Sequence, residues 1–214
     1  MKWILSILLI FLSSNLGLSK QQYNFPKDHS AHEGYETEWW YYTGHLKTDS
    51  GEEYGFELTF FKVEWSKYKS QAPKDWKAKP LYMAHYAISD KNANIFEYSE
   101  LINRPIGQIA GADGDSYHVW NEDWSVQLED DVHHLKAQMK DFAIDLQLKP
   151  QKRPVIHGLD GLSYKGKDRN NYSHYYSLTR LETKGTLAIG GKTFQCTGLS
   201  WMDHEWMNNR SFSE

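Results

Sequence analysis

Nowhere in this 214-residue chain does an apolar pattern of helical period run beyond about two turns, and that absence constrains its fold more than any other feature. What recurs instead is the period of two. Short runs rich in Trp, Tyr, Phe, Val and Ile alternate with turn residues such as Gly, Asn, Asp and Pro. Residues 37–46 carry aromatics at both parities, Trp39 and Tyr41 against Trp40 and Tyr42, which predicts a strand buried on both faces. The turn Asp49-Ser50-Gly51 leads into a second long strand over residues 54–65, making a hairpin. Residues 81–89 and 95–101 flank Asp90-Lys91-Asn92-Ala93-Asn94 as another hairpin. Short strands follow over residues 117–120, 124–128, 134–139 and 142–148. The Lys/Pro-rich stretch 66–80 and the Gly-rich stretch 106–115 read as loops, and 150–171 as a long connection of the kind that often carries function. The last strands are expected over residues 173–181, 185–189 and 192–201, the final pair joined by Gly190-Gly191. Such spacing specifies an all-β fold, an antiparallel barrel or closed sandwich.

Composition narrows the function. A net charge of −4 and a pI near 6.2, with no dense basic stripe, exclude nucleic acid and anionic membrane as expected partners. Nine Trp, 14 Tyr and nine Phe in a chain of low mean hydropathy favour sheets with one wet face, and suit pocket walls as well as cores. Cys196 is the only cysteine, so no intrachain disulfide is possible. It reads as a small packed hydrophobe rather than a nucleophile.

The first 19 residues have the layout of a signal peptide. Lys2 precedes an apolar run over residues 3–12, and Gly17 and Ser19 sit at the −3 and −1 positions of a cleavage after Ser19. That run is too short to span a bilayer, nothing later could span one, and no Cys follows to take a lipid. Export, with a disulfide-free product, points to a bacterial periplasm.

Acids and imidazoles beside indoles mark the candidate chemistry: Asp28-His29 with His32, Glu38-Trp39-Trp40-Tyr41-Tyr42, and Trp201-Met202-Asp203-His204-Glu205-Trp206. A carboxylate next to Trp must be solvated, paired or protonated, and an apolar wall raises its pKa. On a strand, His204 and Trp206 share one face while Asp203 and Glu205 share the other. Read on residues alone, this segment serves equally as an acid–base group on an apolar platform or as a strand end that merely packs. Asp28, His29 and His32 have a metal-like spacing but no helix to present them, so no metal site is expected. His133-His134 read as turn and surface residues. No G-x-S-x-G nucleophile elbow or phosphate-cradling loop is present, and no cofactor is expected.

Together these segments resemble the lipocalin-like family that includes carotenoid 1,2-hydratases, AttH-type proteins and predicted secreted hydrolases. The resemblance runs from Phe25-Pro26-Lys27-Asp28-His29-Ser30-Ala31-His32 and the Glu38–Tyr42 segment through Tyr54-Gly55-Phe56-Glu57-Leu58-Thr59-Phe60-Phe61 and His85-Tyr86-Ala87-Ile88. It continues in His157-Gly158-Leu159-Asp160-Gly161, Ser173-His174-Tyr175-Tyr176-Ser177 and Trp201-Met202-Asp203-His204-Glu205-Trp206. It implies a lipocalin-like barrel over residues 20–214, with a second lipocalin-like domain that is missing after Glu214 and packs on the first. For the hydratases it implies protonation of an isoprenoid double bond, a tertiary carbocation and attack by water, without a cofactor. Their His-x-Trp matches His204 and Trp206, while the tyrosine and acid that follow it would lie beyond Glu214.

Two functions from different classes follow. One is an exported hydratase- or hydrolase-like enzyme on an apolar or amphiphilic small molecule, with His204 as acid–base group and Asp203 or Glu38 as its partner. Trp39, Trp40, Tyr42, His85, Tyr176, Trp201 and Trp206 would line its pocket. The other is a non-catalytic periplasmic carrier using the same cavity. A third possibility leaves the aromatics as core alone.

Overall fold

The computed structural model describes residues 22–64 and 80–208. The expected signal segment, all of the expected 66–80 loop but Pro80, and the last six residues lie outside them. Among the described residues thirteen strands form one antiparallel sheet: β1 (Thr37–Thr48), β2 (Glu53–Val63), β3 (Leu81–Asp90), β4 (Ile95–Asn103), β5 (Ala110–Ala112), β6 (His118–Asn121), β7 (Trp124–Glu129), β8 (Val132–Met139), β9 (Phe142–Pro150), β10 (Val155–Ile156), β11 (Ser163–Tyr164), β12 (Tyr172–Ile189) and β13 (Lys192–Met207). Their order is β4-β3-β2-β1-β13-β12-β9-β8-β7-β6-β5, so the chain's first and last long strands are neighbours. The short β10 and β11 lie along the edge of β12 left free before its second half meets β9.

The sheet rolls into a nearly closed barrel around inward-facing Trp40, Tyr42, Leu58, Phe60, Tyr86, Leu135, Leu146, Tyr176 and Trp206, each 2% exposed or less. Enclosing rings of this size is worth on the order of 2–3 kcal/mol apiece. Between β4 and β6 a side chain bridges the closing seam in place of a strand ladder. Asn121, fully buried, donates to the carbonyls of Tyr82 (3.3 Å) and Leu101 (3.4 Å) and accepts from Asn103 (2.8 Å). Residues 22–36, which contain a 3-10 turn at Lys27–His29, fold across one end.

Several local expectations are corrected. β1 is buried on one face only: Glu38, Trp40 and Tyr42 point inward, while Trp39, Tyr41 and Thr43 are partly exposed. Part of the 106–115 loop is a strand, β5, because Gly111 lets the ring of its cross-strand partner Trp120 lie over the backbone. A Cβ there would stand 2.5 Å from that ring. The separate strands expected over 173–181 and 185–189 are one, β12, bent by a register shift between Leu178 and Leu181. Gly185, expected to open the second of them, lies within β12 at a point of close approach, where a Cβ would meet the Asp145 carbonyl at 2.1 Å. His133 is not a surface residue: it is inward-facing on β8 and 1% exposed, while its neighbour His134 turns outward to Glu129 at 3.8 Å.

Candidate functional site

Register places the candidate chemistry at the covered end of the barrel. β1 pairs with β13 so that Glu38 faces Trp206 and Trp40 faces His204. β13 in turn pairs with β12, setting His174 beside Trp206 and Tyr176 beside His204. Because side chains alternate, all six of these project inward together. The 3-10 turn then drops His29 onto this patch from above, and the Trp40 indole donates to the His29 carbonyl at 3.0 Å.

Glu38 is the centre of the cluster. Its carboxylate is fully buried and Oε1 lies 2.7 Å from His32 Nδ1 and 2.9 Å from His204 Nε2. The His32 backbone N–H donates to both carboxylate oxygens, and Lys62 Nζ stands 3.5 Å from Oε2 while donating to the His32 carbonyl. Burial pushes the Glu38 carboxyl up, but hydrogen bonds from His204 and His32 outweigh it and hold the group ionised. His204 is fully buried. Burial pushes it below the usual histidine range, although Glu38 pulls the other way. An ionised carboxylate can only accept, so the proton on His204 belongs on Nε2. Its Nδ1 is left 3.1 Å from both the Tyr176 hydroxyl and the Asp28 carbonyl.

The network continues inward. Tyr176 Oη lies 2.6 Å from His29 Nδ1, so one phenol links two imidazoles. The His29 and His133 rings are 5.3 Å apart, and His133 Nδ1 meets the Tyr42 hydroxyl at 2.8 Å, which touches the Tyr117 hydroxyl at 2.5 Å. Burial lowers His29 to about 2 and His133 to about 3, and raises Tyr42, Tyr117 and Tyr176 far above the phenol range. His32 opens this interior to solvent. Its side chain is 18% exposed, stacks on Trp206 at 3.8 Å and reaches Asp28 at 3.5 Å through Nε2. Tyr35 and His174, joined at 3.0 Å, complete the aromatic rim.

The expected site residues thus separate into two groups. Glu38, Trp40, Tyr42, Tyr176, His204 and Trp206 meet at this end. Asp203 is on the opposite face of β13. It accepts from Ser177 and Tyr175, and His157 Nε2 meets the Ser177 hydroxyl at 2.7 Å, which fastens the 151–164 strap to the sheet. Trp39 and Trp201 also face outward, Trp201 37% exposed, and the half-exposed His85 lies over Phe61 beside Glu100. Strand alternation separates all four from the cluster.

Sequence reasoning missed the interior roles of His29, His133, Tyr117 and Lys62. Lys62 left a trace: it shares its parity with Leu58 and Phe60, and a lysine on an apolar strand face needs a buried acid opposite it. A cavity of about 1140 Å³ lies elsewhere, at the far end of β1, β12 and β13 among His45, Lys47, Arg180, Lys184 and Leu199. A cleft of about 430 Å³ beside Pro26, Ser116 and Tyr117 lies against the Tyr117 end of the network.

Comparison with known proteins places this geometry. Residues 17–212 match the family model described as AttH-like. A crystal structure identified as AttH from Nitrosomonas europaea is 30% identical and superposes with a TM-score of 0.78, over 90% of this chain and 58% of that one. Kievitone hydratase from Nectria haematococca superposes with a TM-score of 0.62, over 87% of this chain and 52% of that one. At 13% identity the second likeness is one of fold. The chain therefore spans little more than half the length of either protein. The search of curated proteins found no match. The chain belongs to the AttH-like family, and its barrel is lipocalin-like.

Proposed function

We propose that this AttH-like chain acts on a lipophilic or amphiphilic small molecule by adding or removing water or by hydrolysis, and that it does so after export. The observation that carries the reading is the Glu38 carboxylate, buried yet held between two imidazoles, one of which reaches solvent. A buried acid of this kind is costly as mere core, because both charge and lone pairs must be satisfied. It is useful as the anchor of a proton-transfer unit. His204, fully enclosed, relays between Glu38 and Tyr176. His32 meets the substrate at the rim, where the faces of Trp206, Tyr35 and His174 suit an apolar body and attract positive charge as it develops. A hydratase by name shares the fold.

The test is incubation with a panel of unsaturated isoprenoids and fatty acyl compounds in 18O-labelled water, read by mass spectrometry. Wild-type protein is expected to place one labelled oxygen in a product, and His32→Ala to bind the same compound without converting it. Equal conversion by wild type and His32→Ala would remove the assigned role. Binding without any conversion by wild type would favour the carrier reading, which the large cavity near Arg180 also suits.

A further inference from the structure

The two histidines of the cluster share an arrangement that proton transfer alone does not require. Each turns one ring nitrogen toward Glu38 Oε1 and the other toward an oxygen that accepts. For His204 the outer nitrogen, Nδ1, meets the Asp28 carbonyl at 3.1 Å. For His32 the outer nitrogen, Nε2, meets the Asp28 carboxylate at 3.5 Å. In a metal site, a carbonyl or carboxylate behind a histidine holds the proton of the outer nitrogen and leaves the lone pair of the inner nitrogen for the ion. Here both inner nitrogens then point at one carboxylate oxygen, and His32 Nδ1, His204 Nε2 and that oxygen lie within 4.8 Å of one another. Lone pairs aimed at an anion repel unless a cation stands between them. In the metal-free protein those cations are protons.

We propose that His32, Glu38 and His204 form a binding site for one divalent transition-metal ion of the zinc class, oriented from behind by Asp28. Two imidazoles and one carboxylate are a donor set suited to such an ion, and three protein ligands leave a fourth tetrahedral position for water. Edges of a tetrahedral site are about 3.3 Å, so the present separations of 2.7 and 2.9 Å need to open by about half an ångström. His32 can supply that movement because it is at the rim, which is also where the ion enters. The Glu38 carboxylate is already aimed: the His32 N–H holds both oxygens and Lys62 stands at Oε2, which turns Oε1 toward the two rings. Binding displaces the protons from His32 Nδ1 and His204 Nε2, and each neutral ring takes its proton on the outer nitrogen, against the Asp28 carboxylate or carbonyl. Lys62, cationic and 3.5 Å from Oε2, and Asp28 at the rim are the charged groups that set affinity from outside the ligand set.

The inference rests on the reading of this cluster as the functional site and names what activates water there. Its test is titration of the untagged, chelator-treated chain with Co²⁺, followed by visible absorption and by competition with Zn²⁺. One equivalent is expected to bind and give d–d bands typical of a nitrogen-and-oxygen site. His32→Ala, at the rim and so compatible with folding, should weaken Co²⁺ by more than ~100-fold. Asp28→Asn, which changes the group behind the His32 ring and leaves the main-chain carbonyl behind His204 in place, should weaken it by about 10-fold. No bands in wild type, or bands that His32→Ala leaves unchanged, would overturn the metal site. Chelator-treated protein that still converts its substrate would also overturn it as the water-activating centre, leaving the proton-transfer reading intact.

Discussion

Two faces of the same seam, one residue apart along β1 and β13, have opposite fates. On the inner face Glu38, Trp40, His204 and Trp206 are 2% exposed or less, the first three hydrogen-bonded and Trp206 stacked on His32. On the outer face Trp39, Trp201 and Asp203 have the same composition of indole and acid, yet Trp201 is 37% exposed and Asp203 serves to pin a strap. The difference teaches that residue type does not create a site. Burial does, because only there must a carboxylate find donors at fixed distances, and only there does an imidazole lose its ordinary basicity.

The sharpest way to break the comparison is to neutralise one acid on each face. Glu38→Gln is expected to lower turnover by about 100- to 10,000-fold, and Asp203→Asn to leave it unchanged, in the labelled-water assay. Equal losses would mean that the outer face takes part in the chemistry. Truncating one indole on each face comes next. Trp206→Ala should cost about 3–5 kcal/mol in urea unfolding through the cavity it leaves, against about 1 kcal/mol or less for Trp201→Ala.

A graded effect, smaller per pH unit, belongs to the inner histidines alone. His133 is held at about 3, by burial first and by His134 second, so the native state refuses a proton that the unfolded chain accepts below about pH 6.5. Its folded pKa is depressed, so stability is fully present above about pH 6.5 and is lost as pH falls from there toward 3. The slope is about 1.4 kcal/mol per pH unit for each such group. His29, held at about 2, adds a second contribution of the same sign. Unfolding midpoints measured down this range should fall steeply, and His133→Gln should remove one group's share of the slope.

The smallest expected effect has the opposite sign. Among the described residues the buried Tyr86 hydroxyl has no hydrogen-bond partner, unlike Tyr42, which has two. Tyr86→Phe should therefore stabilise the chain by about 1 kcal/mol in the same unfolding measurement, whereas Tyr42→Phe should destabilise it. A loss at Tyr86 would show that its hydroxyl has work inside the barrel.

Much of this was legible beforehand, for local reasons. Period-two runs and turn residues located most strands, and alternation alone put His204 with Trp206 and apart from Asp203. Which face of β1 turns inward was not legible, because indoles and phenols occupy both parities. β5 escaped notice because three small residues carry no period, and its reason for existing, the ring of Trp120 over Gly111, belongs to another strand. His133 looked like a surface residue because nothing beside it in the chain shows that a barrel closes over it.

Local alternation, turn chemistry and the placing of indoles beside acids determined by themselves that this chain forms antiparallel strands around an aromatic interior. Only the tertiary structure decided which acid meets which imidazole. Glu38 and His204 are separated by 166 residues, and His29 and Tyr176 by 147. No periodicity reaches so far. The pairing of the first long strand with the last, and the folding of residues 22–36 across their shared end, bring those groups within hydrogen-bond distance. The physical reason is that hydrogen bonds, desolvation and tautomer choice act over a few ångströms of space, whereas a strand's pattern acts along the chain.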